Sequence, residues 1–98
     1  MQGKYLIILD IPARRFYEKV IAPDERHRVD EILNYIAVEP YVDNERKAAF
    51  LFPPANALIY ADDEFWAIYE NPEPGTVIIL NIGYRREAPS PERDEPYL

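Results

Sequence analysis

The sequence predicts a small α+β domain, with a strand first, two helices next and a three-stranded antiparallel meander last. Short apolar runs of strand length stand near both ends of the chain, and between them apolar residues recur at helical spacing. The last three runs follow one another through short turns, which join antiparallel neighbours. Strands at both ends with helices between them make an α+β arrangement in one sheet.

Composition and charge narrow the class of protein. The 98 residues are 48% hydrophobic and 13% aromatic, which is typical of one globular domain. The chain has no cysteine, so it offers neither disulfides nor a thiolate nucleophile. Its net charge of −7 opposes binding to polyanions, because nucleic-acid affinity comes largely from neutralising phosphates. The apolar run after Lys4 is too short for a membrane span, and we expect a cytoplasmic protein with no membrane partner.

The first strand and the first helix are predicted between residues 5 and 22. Tyr5–Asp10, "YLIILD", is a continuous apolar run, typical of a strand covered on both faces and interior to its sheet. Pro12 favours a helix start directly after it. The apolar residues at helical spacing in this helix are Ala13, Phe16, Tyr17, Val20 and Ile21.

A second helix is predicted from Pro23 to the residue before Pro40. Asp24 and Glu25 stand in its first turn, where negative charge suits the helix dipole. Its apolar stripe consists of Val29, Ile32, Leu33, Ile36 and Ala37. Only "APD" separates the two helices, which predicts a helical hairpin against one face of the sheet.

The second half of the chain predicts the meander. Within residues 40–56, "AAFLF" is a candidate strand that Pro53 and Pro54 must end. The runs "ALIYA" (57–61), "EFWAIYE" (64–70) and "TVIILNI" (76–82) are predicted strands, and Gly75 suits the hairpin loop between the last two. We expect one domain over residues 1–87 and an extended, proline-rich tail over residues 88–98.

The block "EFWAIYENPEPGTVIILNIGYRRE" and the order of elements resemble the RelE/ParE toxin superfamily. The matching residues are Ile68, Tyr69, the strand Val77–Ile82, Gly83, Tyr84, Arg85, Arg86 and Glu87. The resemblance implies the toxin of a type II toxin–antitoxin pair, bound by a cognate antitoxin protein and acting on mRNA at the ribosome or on DNA gyrase. It implies catalysis without a metal or other cofactor, and it makes Arg85, Arg86, Tyr69 and Tyr84 the candidate catalytic residues.

Departures from the family pattern leave the activity open. Members often carry arginine or lysine at the positions of Ile59, Ala61 and Trp66, and a histidine at that of Tyr84. One interpretation is an mRNA interferase, a metal-independent endoribonuclease, with weakened or lost activity. Another is a non-catalytic protein-binding module of the same fold, able to form a homodimer, and a third is an unrelated α+β domain.

Other polar residues favour ordinary structural roles. His27, between Arg26 and Arg28, is expected on the solvated side of the second helix. Asp62 and Asp63 are expected to form a turn rather than a metal site. Trp66 could stack on a base, but its alternation with Phe65 and Ala67 favours packing on both faces of a strand.

Overall fold

A computed structural model of the chain describes residues 4–41, 46–49, 57–70, 74–87 and 89. The helical elements are α1 (Ile11–Arg15), which continues as a π-helical turn (Phe16–Val20), and a 3-10 turn (Pro23–Glu25) that leads into α2 (Arg26–Val38). The strands are β1 (Leu6–Leu9), β2 (Lys47–Ala49), β3 (Ala57–Ala61), β4 (Phe65–Glu70) and β5 (Thr76–Tyr84). No helix in these ranges is long and apolar enough to cross a membrane.

The strands form one mixed five-stranded sheet in the order β1-β5-β4-β3-β2. β1 pairs with β5 in parallel, and every other pair is antiparallel. The predicted α+β class and the β3–β4–β5 meander are therefore confirmed. The sheet differs in detail, because β2 adds a strand beyond the meander. β2 begins one residue before the candidate segment "AAFLF", whose last three residues lie outside the described ranges, as does the predicted tail apart from Pro89.

The prediction that the first strand lies inside the sheet was wrong, since β1 is an edge strand. Ile7 and Leu9 pack against the main core, whereas Leu6 and Ile8 are 62% and 42% exposed. A continuous apolar run indicates that both faces of a strand are apolar, but it does not reveal whether a second layer covers both. The parallel pairing with β5 is possible because a long connection, which contains both helices and the strands β2, β3 and β4, separates the two strands in the chain.

The first helix ends in a π-helical turn, which sequence periodicity did not predict. The helix begins where Asp10 Oδ1 accepts a hydrogen bond from the Ile11 N–H at 2.9 Å. It ends where the Ile21 N–H donates to the Phe16 carbonyl, five residues earlier, at 3.0 Å. The wider turn keeps Phe16 and Ile21 in the core, while Val20 from the predicted stripe is 53% exposed.

Both helices cover one face of the sheet, which we call the helical face. The predicted α2 stripe is confirmed, with Leu33 only partly buried. The buried residues that form the core between helices and sheet are Ala13, Phe16, Ile21, Val29, Ile32, Ile36, Leu58, Tyr60, Phe65, Ala67, Tyr69, Val77, Ile79 and Ile82. We call the opposite side of the sheet the open face.

The register of β4 and β5 changes at a β-bulge. Ile68 pairs with Asn81 and the next residue, Tyr69, pairs with Ile79, so Leu80 has no partner on β4. A bulge of this kind bends its strand and redirects the side chains beyond it. It sets which residues of β4 lie opposite Gly83 and Tyr84 at the end of β5.

Val29→Ala should lower the free energy of unfolding by about 2 kcal/mol, because it removes two buried methyl groups and leaves a cavity. Val29 has no exposed surface, whereas Val38 on the same helix is 52% exposed. The matched Val38→Ala variant should stay within about 0.5 kcal/mol of the parent protein in urea unfolding. Equal losses in the two variants would contradict the orientation of α2.

Candidate functional site

The two arginines of the candidate site lie in the tight turn that follows β5. The Glu87 N–H donates to the Tyr84 carbonyl at 2.9 Å, which places Arg85 and Arg86 at the two central positions of the turn. The Arg85 N–H donates to the Glu64 carbonyl at 2.8 Å and so ties this turn to the start of β4. Both arginines are exposed, and they stand together on a backbone fixed by two hydrogen bonds.

Tyr84 is directed to the helical face and supports Arg86. Its ring lies 5.1 Å from that of Phe16 and 5.5 Å from that of Phe65, measured between centroids. The Arg86 guanidinium carbon stands 4.1 Å from the Tyr84 ring centroid, a cation–π contact worth about 0.5–1 kcal/mol at an exposed site. Burial, together with the 3.2 Å hydrogen bond to Glu25 Oε1, raises the pKa of Tyr84. At neutral pH this hydroxyl is protonated and is not a ready base.

Tyr69, the fourth candidate residue, lies in the main core. It has no exposed surface, and its hydroxyl donates to the Pro40 carbonyl at 2.7 Å. The partner of Tyr84 on β4 is Phe65, four residues before Tyr69, a separation of roughly 13 Å along the strand. The structure therefore brings Arg85, Arg86 and Tyr84 together and holds Tyr69 apart from them.

The positions where the resemblance implies cations lie on the open face and carry an apolar cluster. Buried Ala57, Trp66 and Ile68 form this cluster, and Ile59, Ala61 and Leu80 pack against it. Trp66 and Ile68 are 3% and 0% exposed. The indole Nε1 of Trp66 donates to the Glu87 carbonyl at 3.1 Å. This ring therefore also holds the end of the turn Tyr84–Glu87, which we call the arginine turn. We refer to these six residues as the open-face cluster.

Gly83 is required because the Trp66 ring lies directly on it. The two residues pair across β4 and β5. A Cβ atom built on Gly83 would stand 2.3 Å from Trp66 Cζ2, far inside van der Waals contact. Because the ring is buried and hydrogen-bonded, it has little freedom to move aside. The glycine before the arginines is thus explained by packing.

A polar network that the sequence did not predict joins α2 to the β3–β4 turn. Arg28 donates to Glu31, Asp62 and Glu64 at 3.0, 3.1 and 3.0 Å. The hydrogen bonds that Arg28 donates to Glu64 and Glu31 raise the pKa of Arg28 against the opposing effect of burial. The network borders a cleft of about 470 Å³ lined by Arg28, Arg46, Tyr60, Ala61, Asp62, Asp63 and Glu64. Opposite charges neutralise one another here, so the cleft presents no basic surface.

Asp62 organises the turn, as its position in the sequence suggested. Its Oδ1 accepts the backbone N–H groups of Glu64 and Phe65 at 2.8 and 2.9 Å, and its Oδ2 accepts the Tyr60 hydroxyl at 2.6 Å. Burial acts to raise the pKa of Asp62, but these hydrogen bonds and Arg28 outweigh it and lower the pKa. Burial and the bond to Asp62 raise the pKa of Tyr60. Among the described residues, no three of His, Asp and Glu could together hold a metal ion.

Lys47 is a basic residue that the sequence interpretation missed. It is 1% exposed on the edge strand β2, its Nζ donates to the Glu39 carbonyl, and the same nitrogen stands 4.1 Å from the Tyr35 ring centroid. The amine lies at the C-terminal end of α2, where the helix dipole favours positive charge. These contacts place Lys47 on the helical face, so it supplies no cation to the open face.

Gly83→Ala should destabilise the protein by about 1–3 kcal/mol, because the added methyl group has no space beside Trp66. In a Trp66→Leu background the same substitution should cost less than about 1 kcal/mol, since the clash is absent. A double-mutant cycle from denaturant unfolding measures the coupling. If Gly83→Ala costs the same in both backgrounds, the ring does not lie on the glycine.

Asp62→Asn should lower stability by about 1–3 kcal/mol at pH 7, because an NH2 group would replace a partly buried carboxylate oxygen that accepts from Arg28 and Tyr60. Since the pKa of Asp62 is lowered in the folded state, its contribution is present above the unfolded pKa and is lost as pH falls through the folded value. The difference between parent and variant should therefore shrink below about pH 4. Unfolding curves at several pH values test this. Asp63→Asn, at an exposed neighbour, should stay within about 0.5 kcal/mol throughout.

Comparisons with known proteins agree with the fold described above. No family model matches the sequence, and no curated protein matches it. Among solved structures, a chain of the toxin–antitoxin complex RelBE2 from Mycobacterium tuberculosis matches with a TM-score of 0.70 and 19% identity, over 89% of this chain and 98% of that one.

Two further solved structures match. A variant of the E. coli toxin RelE with two arginine-to-alanine substitutions, in the free state, has a TM-score of 0.61 and 13% identity over 83% of each chain. The conserved hypothetical protein HP0894 from Helicobacter pylori has a TM-score of 0.59 and 12% identity, over 85% of this chain and 97% of that one. At these identities the likeness is one of architecture, and the chain has the RelE fold.

Proposed function

We propose that this chain is the toxin component of a type II toxin–antitoxin pair, that it binds a protein antitoxin, and that its RNA-cleaving activity is weakened or lost. The observation that carries the proposal is the open-face cluster on a RelE fold. The fold supports the toxin origin, while apolar side chains occupy the positions where the resemblance implies phosphate-binding cations. We place its action in the cytoplasm, with mRNA on the ribosome as the target of any residual activity.

The chemistry of RNA cleavage explains why the open-face cluster matters. Cleavage without a metal needs a base for the 2′-hydroxyl, positive charge for the phosphorane, and an acid for the leaving oxygen. Guanidinium groups meet the second need best, because one planar group can hold two phosphate oxygens. Ile59, Ala61 and Trp66 can do none of these tasks, so the whole demand falls on the arginine turn.

The arginine turn supports a residual site of limited capacity. Arg85 and Arg86 are exposed and held on a fixed backbone, so both guanidinium groups can reach a phosphate. Tyr84 is the nearest candidate for proton transfer, but its hydroxyl is bonded to Glu25 and its pKa is raised. Tyr69 is committed to the Pro40 carbonyl. The turn can therefore bind an anion more readily than it can move a proton.

A second candidate function is that of a non-catalytic protein-binding module of the same fold. It is favoured because apolar side chains stand at Ile59, Ala61 and Trp66, which removes the positive charge that binding of a phosphate backbone needs. The net charge of −7 points in the same direction. The two candidates share a protein partner and differ only in whether any RNA cleavage remains, so one experiment on the arginine turn separates them.

Replacing both Arg85 and Arg86 by glutamate should abolish any growth arrest or cleavage of ribosome-bound message caused by the parent protein. The fold should persist, because surface substitutions usually change stability by no more than about 0.5 kcal/mol. The measurements are growth after induced expression, and mapping of message ends, with and without the substitutions. Circular dichroism of each variant confirms folding.

The matched control replaces Arg14 and Arg15, an exposed pair on α1 with equal charge, by glutamate. If Arg85 and Arg86 form a positioned phosphate site, only their replacement should reduce the activity. If the arginines act by long-range attraction, which depends on total charge, replacement of either pair should reduce it. Equal losses of activity in the two double variants would contradict a phosphate site at the arginine turn. If the parent protein neither arrests growth nor cleaves message, only the second candidate function, that of a protein-binding module, remains.

A further inference from the structure

β1 leaves one side of its backbone without a partner in the described structure. The N–H groups of Leu6 and Asp10 donate to the Gly75 and Ile79 carbonyls on the β5 side, at 2.8 and 2.9 Å. In a parallel ladder every second residue bonds to the same neighbour, so the N–H and C=O groups of Ile7 and Leu9 point away from β5. Tyr5, the residue before β1, already donates its N–H to the Ala37 carbonyl at the end of α2.

The free edge shows none of the devices that usually prevent strand addition. Between Lys4 and Asp10 it has no charge, no proline and no bulge, and Leu6 and Ile8 expose apolar side chains on the open face. Exposed apolar residues also flank both ends of β1: Ile11 follows its C-terminal end at 53% exposure, and Tyr41, whose hydroxyl is 2.9 Å from that of Tyr5, stands beside its N-terminal end at 49%.

We propose that the β1 edge binds the β1 edge of a second copy of this chain, antiparallel, about a two-fold axis that passes between the two Ile8 residues. In this register Ile7 of the first copy pairs with Leu9 of the second, and Leu9 of the first copy pairs with Ile7 of the second. The four hydrogen bonds of these two pairs use all the outward N–H and C=O groups of both residues. The bond from Tyr5 to the end of α2 stays intact, and two five-stranded sheets become one of ten strands.

Symmetry is the reason for choosing a second copy as the occupant. The free groups lie at equal distances on either side of Ile8, so the edge is complementary to itself under a two-fold rotation. The same rotation brings Ile11 of each copy next to Tyr5 and Tyr41 of the other, which covers the exposed apolar residues at both ends. The contact lies in an uncharged segment, so it brings no like charges face to face in two chains that each carry a net charge of −7.

Disulfide trapping tests the register, because the chain contains no cysteine of its own. Under mild oxidation, full-length Ile8→Cys should form a disulfide-linked dimer at least ten times faster than full-length Leu6→Cys. Residues facing each other in a non-hydrogen-bonded antiparallel pair have Cα atoms about 4.5 Å apart, within disulfide range. Leu6 points to the same face and is more exposed than Ile8, but the two copies of Leu6 would stand roughly 13 Å apart.

Sedimentation equilibrium of the cysteine-free protein gives an independent measurement. Ile8→Lys should raise the dimer dissociation constant at least tenfold, since two like charges would face each other on the axis. Val20→Lys adds the same charge at a comparably exposed apolar residue away from β1, and it should leave the constant within twofold.

A parent protein that stays monomeric at high concentration would overturn the proposal and would leave the edge to a different polypeptide. Cross-linking of Leu6→Cys as fast as that of Ile8→Cys would also overturn it. An equal effect of the two lysine variants on the dissociation constant would do so as well.

Discussion

The hydrogen-bonded ladders on the two sides of β5 hold this fold together. β5 pairs in parallel with β1 and antiparallel with β4, and α1 packs on it. Its nine residues continue into the arginine turn, so the position of that turn is set by the register of β4 and β5. The bulge at Leu80 brings Gly83 under Trp66 and Tyr84 opposite Phe65. A slip of one residue would turn each of these side chains to the wrong face.

Sequence periodicity was informative wherever a residue's environment followed from its local pattern. The apolar stripe of α2 repeats at helical spacing and β4 alternates residue by residue, so both elements were predicted. The helix was expected from Pro23, but Pro23–Glu25 form a 3-10 turn and α2 begins at Arg26. The pattern failed at β1, because an apolar strand at an edge has the same sequence character as one in the middle of a sheet. Periodicity also could not predict the three side-chain hydrogen bonds of Arg28. Two of them join Arg28 to Asp62 and Glu64, which are 34 and 36 positions away in the chain.

The candidate site was predictable only in part, for a similar reason. The arginines after an apolar strand had to lie in water, and they do. Tyr69 is enclosed by the core, whereas Tyr84 reaches the surface. This difference depends on how far the helices extend over each residue, which the local sequence does not reveal. The same limit applies to Lys47, whose burial depends on the end of α2 lying beside β2, which begins nine residues after Val38. Its contacts with Glu39 and Tyr35 hold it on the helical face, where it contributes nothing to a phosphate site.

The π-helical turn Phe16–Val20 makes the chain tolerant of a one-residue deletion at this place. A π turn is an α-helical turn with one residue added. Its three last residues, Glu18, Lys19 and Val20, are all exposed, while the core contacts come from Phe16 before them and Ile21 after them. Loss of any one of the three would bring Phe16 and Ile21 to ordinary α-helical spacing without moving either from the core. A variant that lacks one of these three residues should therefore keep the same sheet, the same α2 and the same arginine turn.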